Sequence, residues 1–292
     1  MTAPRKRLDL PGIATGTGAL LLIVYVVTVA AEGKLGTRTL LLCLAGLVLA
    51  VAFVVIELRS REPLLPFRYF RNPDITGSTL ASFVVGAAHV PAFVFLALYF
   101  QEVRGYSALD SGLAVAPIAA VNLLISRTAI PPALAKWGPR VVLTAGMALL
   151  GAGLFLLGRM PSDGSFLTDY LPGALIFAAG LPAVFVGSTM PAVKAVSPDE
   201  TGVVSGLVNT SQRIGAGLGI AVLAALAADR TKASGGAPQE ALNEGYRLGF
   251  LGAGCLAAVG VLIGLWLVAR GRRNGPASAP APAEEPAGTA RA

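Results

Sequence analysis

Long apolar stretches alternate with short polar segments along most of the chain. Eight of these stretches have roughly 18 or more residues with few or no charges, the length at which a helix crosses the hydrocarbon core of a bilayer. The predicted spans are 13–31, 39–56, 75–100, 108–130, 141–158, 170–194, 202–228 and 248–269. The pattern therefore predicts an all-α polytopic membrane protein with eight transmembrane helices.

The amino-acid composition fits a chain that lies mostly in lipid. Hydrophobic residues make up 54% of the 292 residues and charged residues 13%, with a mean hydropathy of +0.70, whereas an average soluble domain has about 25% charged residues. The net charge of +7 does not indicate nucleic acid binding, because no basic stripe alternates with aromatic residues. The basic residues flank apolar spans, so the lipid bilayer, and anionic lipid in particular, is the expected partner.

The sequence shows no pattern typical of a metal, cofactor or catalytic site. Its two cysteines, Cys43 and Cys255, lie in different predicted spans, where a thiol usually behaves as a small buried hydrophobe. Neither a disulfide framework nor metal-ligand spacing is present, and no carboxylate pair or nucleophile–base arrangement indicates catalysis. We therefore expect no metal, no cofactor and no enzyme activity.

Lysine and arginine are concentrated in alternate connections between the spans. The richer set comprises Arg5, Lys6, Arg7, Arg59, Arg61, Arg68, Arg71, Lys136, Arg140, Lys194, Arg270, Arg272 and Arg273. Short loops rich in these residues stay in the cytoplasm. The distribution predicts a multi-pass protein of the cytoplasmic membrane whose two termini both lie in the cytoplasm.

Breaks in the hydrophobic pattern divide the chain into five parts. The predicted order is a cytoplasmic segment 1–12, a two-helix hairpin 13–56, a cytoplasmic linker 57–74, a six-helix bundle 75–269 and a tail 270–292. The tail is basic and then rich in proline and alanine, which predicts disorder. A polar outer segment, 229–247, is expected to be a mobile loop.

The segment 201–223, TGVVSGLVNTSQRIGAGLGIAVL, sets polar residues in a run of glycines and aliphatic residues. A dinucleotide-binding loop needs G-x-G-x-x-G after a strand, but this segment has G-x-G-x-G and no strand before it. Read as a membrane helix, it places Gly202, Gly206, Asn209 and Arg213 on one face. Ser211, Gly215 and Gly219 form a second row, and such small-residue rows allow close helix packing.

Helix packing accounts for the glycines but not for Arg213. At about 1.5 Å per residue, Arg213 lies roughly 16–17 Å into its span, near the middle of a ~30 Å hydrocarbon core. No span interior contains Asp or Glu. A charge at this depth faces protein, water or substrate, so Arg213 has either a cavity-facing or gating role or a structural role bonded to backbone carbonyls.

Other polar residues also lie within the predicted spans. His89 is the only histidine of the chain, and it is either a proton-responsive site or a side chain that hydrogen-bonds a neighbouring helix. Asn122, Asn209 and Gln212 either line a polar cavity or join helices by hydrogen bonds.

Several motifs carry a resemblance to a known family. EPLLPFRYFRNPD, LALYFQEVRGYSALDSGLAVAP, KWGPRVVLTAGMALLGAGLFLL and TGVVSGLVNTSQRIGAGLGIAVL follow one another in the chain. In this order they resemble the C-terminal part of a major facilitator superfamily permease of the fourteen-helix drug:proton antiporter branch. The resemblance implies the C-terminal half of that fold, preceded by two extra helices.

The resemblance also assigns expected roles. The first, second, fourth and fifth helices of such a bundle line a central cavity, and they carry His89, Asn122, Asn209, Gln212 and Arg213. A cytoplasmic loop motif has its counterpart in PPALAKWGPR, which keeps Lys136, Gly138 and Arg140 but has Ala135 in place of the family's acidic residue.

The family's first six helices, with their coupling residues, have no counterpart in this sequence. The expected function is proton-coupled efflux of hydrophobic or amphipathic drugs, represented by a C-terminal half whose partners are a proton, a small-molecule substrate and an N-terminal half. The alternatives are a non-transporting membrane module or truncated remnant, and a metabolite transporter on the same fold.

Overall fold

The described structure is built from helices and short connections. The computed structural model describes residues 10–31, 37–59 and 67–273, and these ranges contain no strand. The long helices are α1 Leu10–Ala31, α2 Thr37–Arg59, α3 Pro73–Leu98, α4 Ala108–Thr128, α5 Ile130–Leu157, α6 Leu171–Lys194, α7 Thr201–Ala233 and α8 Pro238–Arg273. The predicted all-α fold is confirmed.

Each long helix overlaps one predicted span. The helices α3 to α8 are long and apolar enough to cross a membrane, and α2 contains a shorter apolar stretch, Leu41–Ile56. Large apolar side chains are exposed on the outer surfaces of several helices, among them Leu44, Leu123 and Leu262. Extensive exposed apolar surface of this kind is typical of contact with lipid.

The end of α7 and the start of α8 differ from the hydropathy-based prediction. The segment 229–247 is not an extended loop, because α7 continues to Ala233 and α8 begins at Pro238. Polar side chains bridge these helical extensions, where Arg230 pairs with Glu244 at 3.1 Å. Hydropathy detects the apolar part of a helix, and a helix stabilised by polar contacts continues beyond it.

The predicted flanking segments are only partly described. The helix α8 extends to Arg273, so the first residues of the predicted tail 270–292 are helical, and the remainder lies outside the described residues. In the predicted linker 57–74, α2 reaches Arg59 and a short 3₁₀ helix spans Phe67–Arg71. Of the predicted segment 1–12, residues 1–9 lie outside the described ranges.

The helix α3 is the centre of the bundle. It packs against α6, α7 and α8, while α5 packs against α6 and α8, and α4 lies mainly on α6. The hairpin of α1 and α2 contacts the bundle through α7. The largest fully buried side chains of the main core include Phe100, Phe177, Phe250, Leu143, Met147 and Leu150.

The helix contacts of the bundle follow a twofold pattern. Exchanging α3 with α6, α4 with α7 and α5 with α8 converts the α3–α7 contact into the α4–α6 contact, and the α5–α6 contact into the α3–α8 contact. All four contacts are present. This is the arrangement that two inverted three-helix repeats produce in transporter folds.

Glycines allow two pairs of helices to approach at backbone distance. On α7, a Cβ atom at Gly215 or Gly219 would overlap the carbonyl oxygen of Phe83 or Ala87 on α3. Gly86 of α3 is likewise placed against the Gln212 carbonyl of α7. A second such seam joins α5 and α6 through Gly146, Gly153, Gly180 and Gly187.

The two cysteines are exposed, contrary to the burial expected from their apolar surroundings. Cys43 lies on α2 and Cys255 on α8. An apolar environment in a membrane helix includes the lipid-facing surface, so apolar neighbours in the sequence do not imply burial within the protein.

Candidate functional site

The helix α7 has two faces with different surroundings. One face lies on α3, where Ser211 Oγ donates a hydrogen bond to the Thr79 carbonyl at 2.9 Å and Gly215 and Gly219 meet the α3 backbone. On the other face, Asn209 and Arg213 are exposed. We call the exposed surface of Gly202, Gly206, Asn209 and Arg213 the open face of α7.

The four glycines singled out in the sequence divide between these faces. Gly215 and Gly219 are buried at the α3 contact. Gly202 and Gly206 are exposed, and no described atom outside their own helix lies within 4 Å of a Cβ built at either position. Close helix packing was predicted for all four glycines. Within the described chain it is present at Gly215 and Gly219 but not at Gly202 and Gly206, because the latter two lie on a side of α7 that is turned away from α3.

Arg213 is a charged residue without a partner among the described residues. It is exposed, and neither a hydrogen bond nor an ion pair reaches its guanidinium from residues 10–31, 37–59 or 67–273. Asn209, one turn before it, donates from Nδ2 to the Ser205 carbonyl of the same helix at 2.9 Å. The structural alternative for Arg213, a bond to the carbonyls of a neighbouring helix, is not seen in the described chain.

His89 and Gln212 lie nearer to the packed interior. The Nδ1 atom of His89 is 2.6 Å from the Val85 carbonyl oxygen, one turn earlier on α3, and a carbonyl only accepts, so Nδ1 carries the proton. The ring stands edge-on to Phe185 of α6, with 5.2 Å between ring centroids. Gln212 is half-buried, and its backbone carbonyl faces Gly86 of α3.

The predicted cavity residues are spread along and around the bundle. The contacts of Thr79 with Ser211, Phe83 with Gly215 and Ala87 with Gly219 show that α3 and α7 run parallel in a constant register. This register places Arg213 level with Ala81, so His89 is eight residues, or about 12 Å, further along the axis. Asn122 is half-buried on α4, which is joined to the bundle mainly through α6.

The residues of the predicted cytoplasmic motif lie at one end of the bundle. At this end α3, α5 and α7 begin and α4, α6 and α8 end, and we call it the basic end. Gly138 has φ +75°, a left-handed conformation that glycine adopts without steric cost. The resulting bend separates residues 130–137 from the membrane-crossing part of α5. Lys136, Gly138 and Arg140 all line a cavity of about 610 Å³.

Arg140 obtains its carboxylate from another helix. Its Nη2 donates to both oxygens of Asp74, at 2.7 and 2.8 Å, and Nε donates to Oδ1 at 3.1 Å. The sequence motif has Ala135 where an acid was expected, and the sequence interpretation missed Asp74 because it lies 66 residues away. The available signal was Asp74 in the first turn of α3, after the N-cap residue Asn72 and Pro73.

A second set of contacts ties the basic end together. Glu200, just before α7, accepts hydrogen bonds from Arg68 Nη2 at 2.5 Å and from the Tyr69 hydroxyl at 3.0 Å. The hydrogen bond with Tyr69 and the negative charge of Glu200 raise the pKa of Arg68 above its usual value. The 3₁₀ helix before α3 is thereby connected to the start of α7.

The candidate site consists of polar side chains and the open face of α7. Within the described ranges, no group of three or more His, Cys, Asp and Glu residues has the geometry to hold a metal ion. The exposed charge of Arg213 can instead bind an anionic group or a carboxylate by charge-assisted hydrogen bonds. Together with the long apolar helices, these features define a multi-pass helical membrane protein with a polar surface at bilayer depth.

The family of the chain follows from its sequence profile. The Major Facilitator Superfamily profile matches residues 10–220. The match covers most of the chain, so this protein belongs to the Major Facilitator Superfamily. The family expected from the sequence motifs is confirmed.

Three of the curated proteins similar to this chain are an antibiotic export protein and two antibiotic resistance proteins. The cephamycin export protein CmcT of Amycolatopsis lactamdurans is 34% identical over 232 residues, covering 79% of this chain and 48% of that protein. The puromycin resistance protein pur8 of Streptomyces alboniger is 31% identical, covering 80% and 46%. The lincomycin resistance protein of Streptomyces lincolnensis is 32% identical, covering 76% and 46%. The chain spans about half the length of these curated relatives.

Proposed function

We propose that this chain forms the C-terminal half of an efflux permease for hydrophobic or amphipathic drugs. Its family membership and its similarity to a cephamycin exporter and to puromycin and lincomycin resistance proteins support this proposal. The helices α1 and α2 are then the two extra helices of the fourteen-helix branch, and α3 to α8 form the C-terminal bundle.

The observation that carries the proposal is Arg213 on the open face of α7, which has no partner among the described residues. A guanidinium at bilayer depth is costly unless it meets water, substrate or a counter-charge. In a complete permease the open face of α7 lines the central cavity, where Arg213 binds an anionic substrate group or a carboxylate of the opposite half. His89, Asn122, Asn209 and Gln212 contribute further polar groups on the helices proposed to line that cavity.

The proposed transport cycle requires a second half. Alternating access moves one bundle against the other around a site near the bilayer midplane. We assign the opposing wall to an N-terminal half of six helices, in the same polypeptide or in a separate one. We propose that both termini of the present chain lie in the cytoplasm, because the connections predicted to be inside carry most of the arginines and lysines of the sequence.

The proposed energy source is the proton gradient. The interiors of the predicted spans contain no Asp or Glu, so we assign the coupling carboxylate to the N-terminal half. In the proposed mechanism, the charge of Arg213 responds to protonation of that carboxylate. The mechanism includes no covalent step in this chain.

A transport assay with Arg213→Gln tests the proposal. The chain is co-expressed with the N-terminal half of a related exporter in a drug-sensitive bacterium, and efflux of a fluorescent lipophilic dye is followed with and without a protonophore. We expect the two halves together to support efflux that the protonophore abolishes. Arg213→Gln is expected to slow the efflux at least about tenfold, equivalent to about 1.4 kcal/mol, without lowering the amount of protein in the membrane.

Arg127→Gln is the matched control, because Arg127 is exposed near the end of α4 and has no described partner. It should leave efflux near the wild-type rate. Efflux by the lone chain would contradict the requirement for a second half, and dye accumulation inside the cells would indicate an importer. Equal rates for Arg213→Gln and wild type would remove the proposed role of the arginine.

A further inference from the structure

The cavity at the basic end has no part in the proposed drug pathway. It is bounded by the start of α3, the bend of α5 and the ends of α6 and α8, and its volume of about 610 Å³ falls within the usual range of ligand sites. The open face of α7 contributes no residue to its lining. The chemistry of its lining therefore needs a separate explanation.

The charges of this cavity are unbalanced. Among the described residues that line it, Lys136, Arg140 and Lys194 are the cations and Asp74 is the only acid. Asp74 forms a two-pronged ion pair with Arg140, whose Nη1 also packs against Gly271 of α8. This pair is internally neutral, so the two lysines leave the described lining with two positive charges that no described acid compensates.

The two lysines are free to bind a ligand. Both are exposed, and no carboxylate within the described ranges pairs with either of them. Lys136 Nζ lies 5.3 Å from the centroid of the Trp137 ring, which is itself 57% exposed. A lysine beside an exposed tryptophan is typical of a membrane–water interface, where the ring occupies the headgroup level.

The remaining lining is suited to a molecule with an apolar part. Val141, Pro191 and Val268 line the cavity together with the cations. On α8, Arg270 stacks over Trp266 at 5.6 Å, and Leu262 and Leu265 are exposed further along the helix. The cavity therefore adjoins an apolar helix surface on which acyl chains can lie.

From this combination we propose that the basic-end cavity binds the headgroup of an anionic phospholipid. Lys136 and Lys194 contact the phosphodiester, the paired Arg140 and Asp74 hold α3, α5 and α8 around it, and the acyl chains lie along α8. Basic pockets between transmembrane helices on the cytoplasmic side are suited to anionic headgroups. This site is independent of the drug-binding role proposed for Arg213.

Native mass spectrometry of the full chain in detergent tests the proposal. The probes are phosphatidylglycerol and phosphatidylcholine with identical acyl chains. We expect the wild type to retain one phosphatidylglycerol in preference to phosphatidylcholine. The double variant Lys136→Gln, Lys194→Gln should bind phosphatidylglycerol about 30-fold more weakly, equivalent to about 2 kcal/mol for two lysines.

Two further double variants separate lipid binding from folding and from general charge effects. Lys136→Arg, Lys194→Arg keeps both charges and should retain the lipid. Arg159→Gln, Lys232→Gln removes two exposed charges without described partners from the opposite end of the bundle and should bind within about threefold of wild type.

Three outcomes would overturn the proposal. The first is equal binding of phosphatidylglycerol by wild type and the glutamine variant, and the second is equal loss in the opposite-end variant. The third is displacement of the bound lipid by an equimolar amount of glycerol 3-phosphate, which is soluble and has no acyl chains. This result would assign the cavity to a free phosphate ligand instead.

Discussion

The two faces of α7 carry similar residues in opposite environments. Gly215 and Gly219 are four residues apart and lie against the backbone of α3, whereas Gly202 and Gly206 have the same spacing but no described atom within 4 Å of a Cβ built at either position. Polar side chains divide in the same way, since Ser211 is hydrogen-bonded to α3 whereas Arg213 is exposed and has no partner in the part of the chain that the structure describes. A row of small residues thus indicates that another helix can pack closely on that face. It does not indicate whether a helix packs there, or which one.

The largest expected effect comes from adding a side chain on the packed face. Gly215→Val should destabilise the bundle by about 3 kcal/mol, because the new Cβ overlaps a backbone oxygen of α3 that no rotamer change can move. Gly206→Val adds the same atoms to the open face and should change stability by less than about 0.5 kcal/mol. Thermal unfolding of the two purified variants in detergent measures the difference.

Because both variants replace a helical glycine by valine, the change in intrinsic helix propensity is shared and cancels in their comparison. A similar loss of stability in both variants would mean that Gly206 also meets another helix. Wild-type stability in Gly215→Val would contradict the close α3–α7 contact itself.

Chemical labelling distinguishes the faces without a change in packing. In a background with Cys43→Ser and Cys255→Ser, Asn209→Cys and Val208→Cys place a thiol at two adjacent positions, of which one is exposed and the other buried. Asn209 is exposed and Val208 is 1% exposed, so a water-soluble maleimide should modify position 209 at least about tenfold faster, since thiol reactivity depends on access.

The unfolded protein provides the control for this experiment, because both thiols should react at similar rates in denaturant. Equal rates in the folded chain would show that the described α7 packing does not persist in solution. If a complementary N-terminal half covers the open face, adding it should slow labelling at position 209 and leave position 208 unchanged.

The sequence was sufficient to predict the helices and the two faces of α7. Spans of about 18 apolar residues and a period of 3.6 residues are local properties, and both persist in the structure. The pairing of Arg140 with Asp74 was not predicted, because the two residues are 66 positions apart and only the packing of α3 against the other helices brings them together. Gly86 was missed for the same reason, as its contact with α7 has no local pattern.

Helix ends were predicted less well than helix centres. The helix α7 has 33 residues and α8 has 36, both longer than their predicted spans, since hydropathy falls at the bilayer surface while backbone hydrogen bonding continues. The exposure of Cys43 and Cys255 was not predicted for a related reason. Lipid and protein interior are both apolar, so sequence hydropathy does not separate a lipid-facing position from a buried one.

The smallest expected effect comes from the partly exposed charged groups that join α7 to α8 near the end of α7. Glu244 of α8 accepts from Arg230 of α7 at 3.1 Å and from Arg247 at 2.6 Å. These side chains are partly solvent-exposed, so Glu244→Gln should lower stability by only about 0.5 kcal/mol at low ionic strength. Salt at 1 M shortens the screening length to about 3 Å, and the difference from wild type should then largely disappear.

Asp163→Asn is the control, because Asp163 lies in the connection between α5 and α6 at the same end of the bundle and is exposed without an ion pair in the described ranges. Thermal unfolding at low and high salt should show a salt-dependent difference for Glu244→Gln and none for Asp163→Asn. A loss of stability as large as that of Gly215→Val would mean that charged contacts, rather than the glycine seam, hold α7 in the bundle. A salt-independent loss would indicate that Glu244 acts through packing, because screening weakens exposed ion pairs and leaves apolar contacts in place.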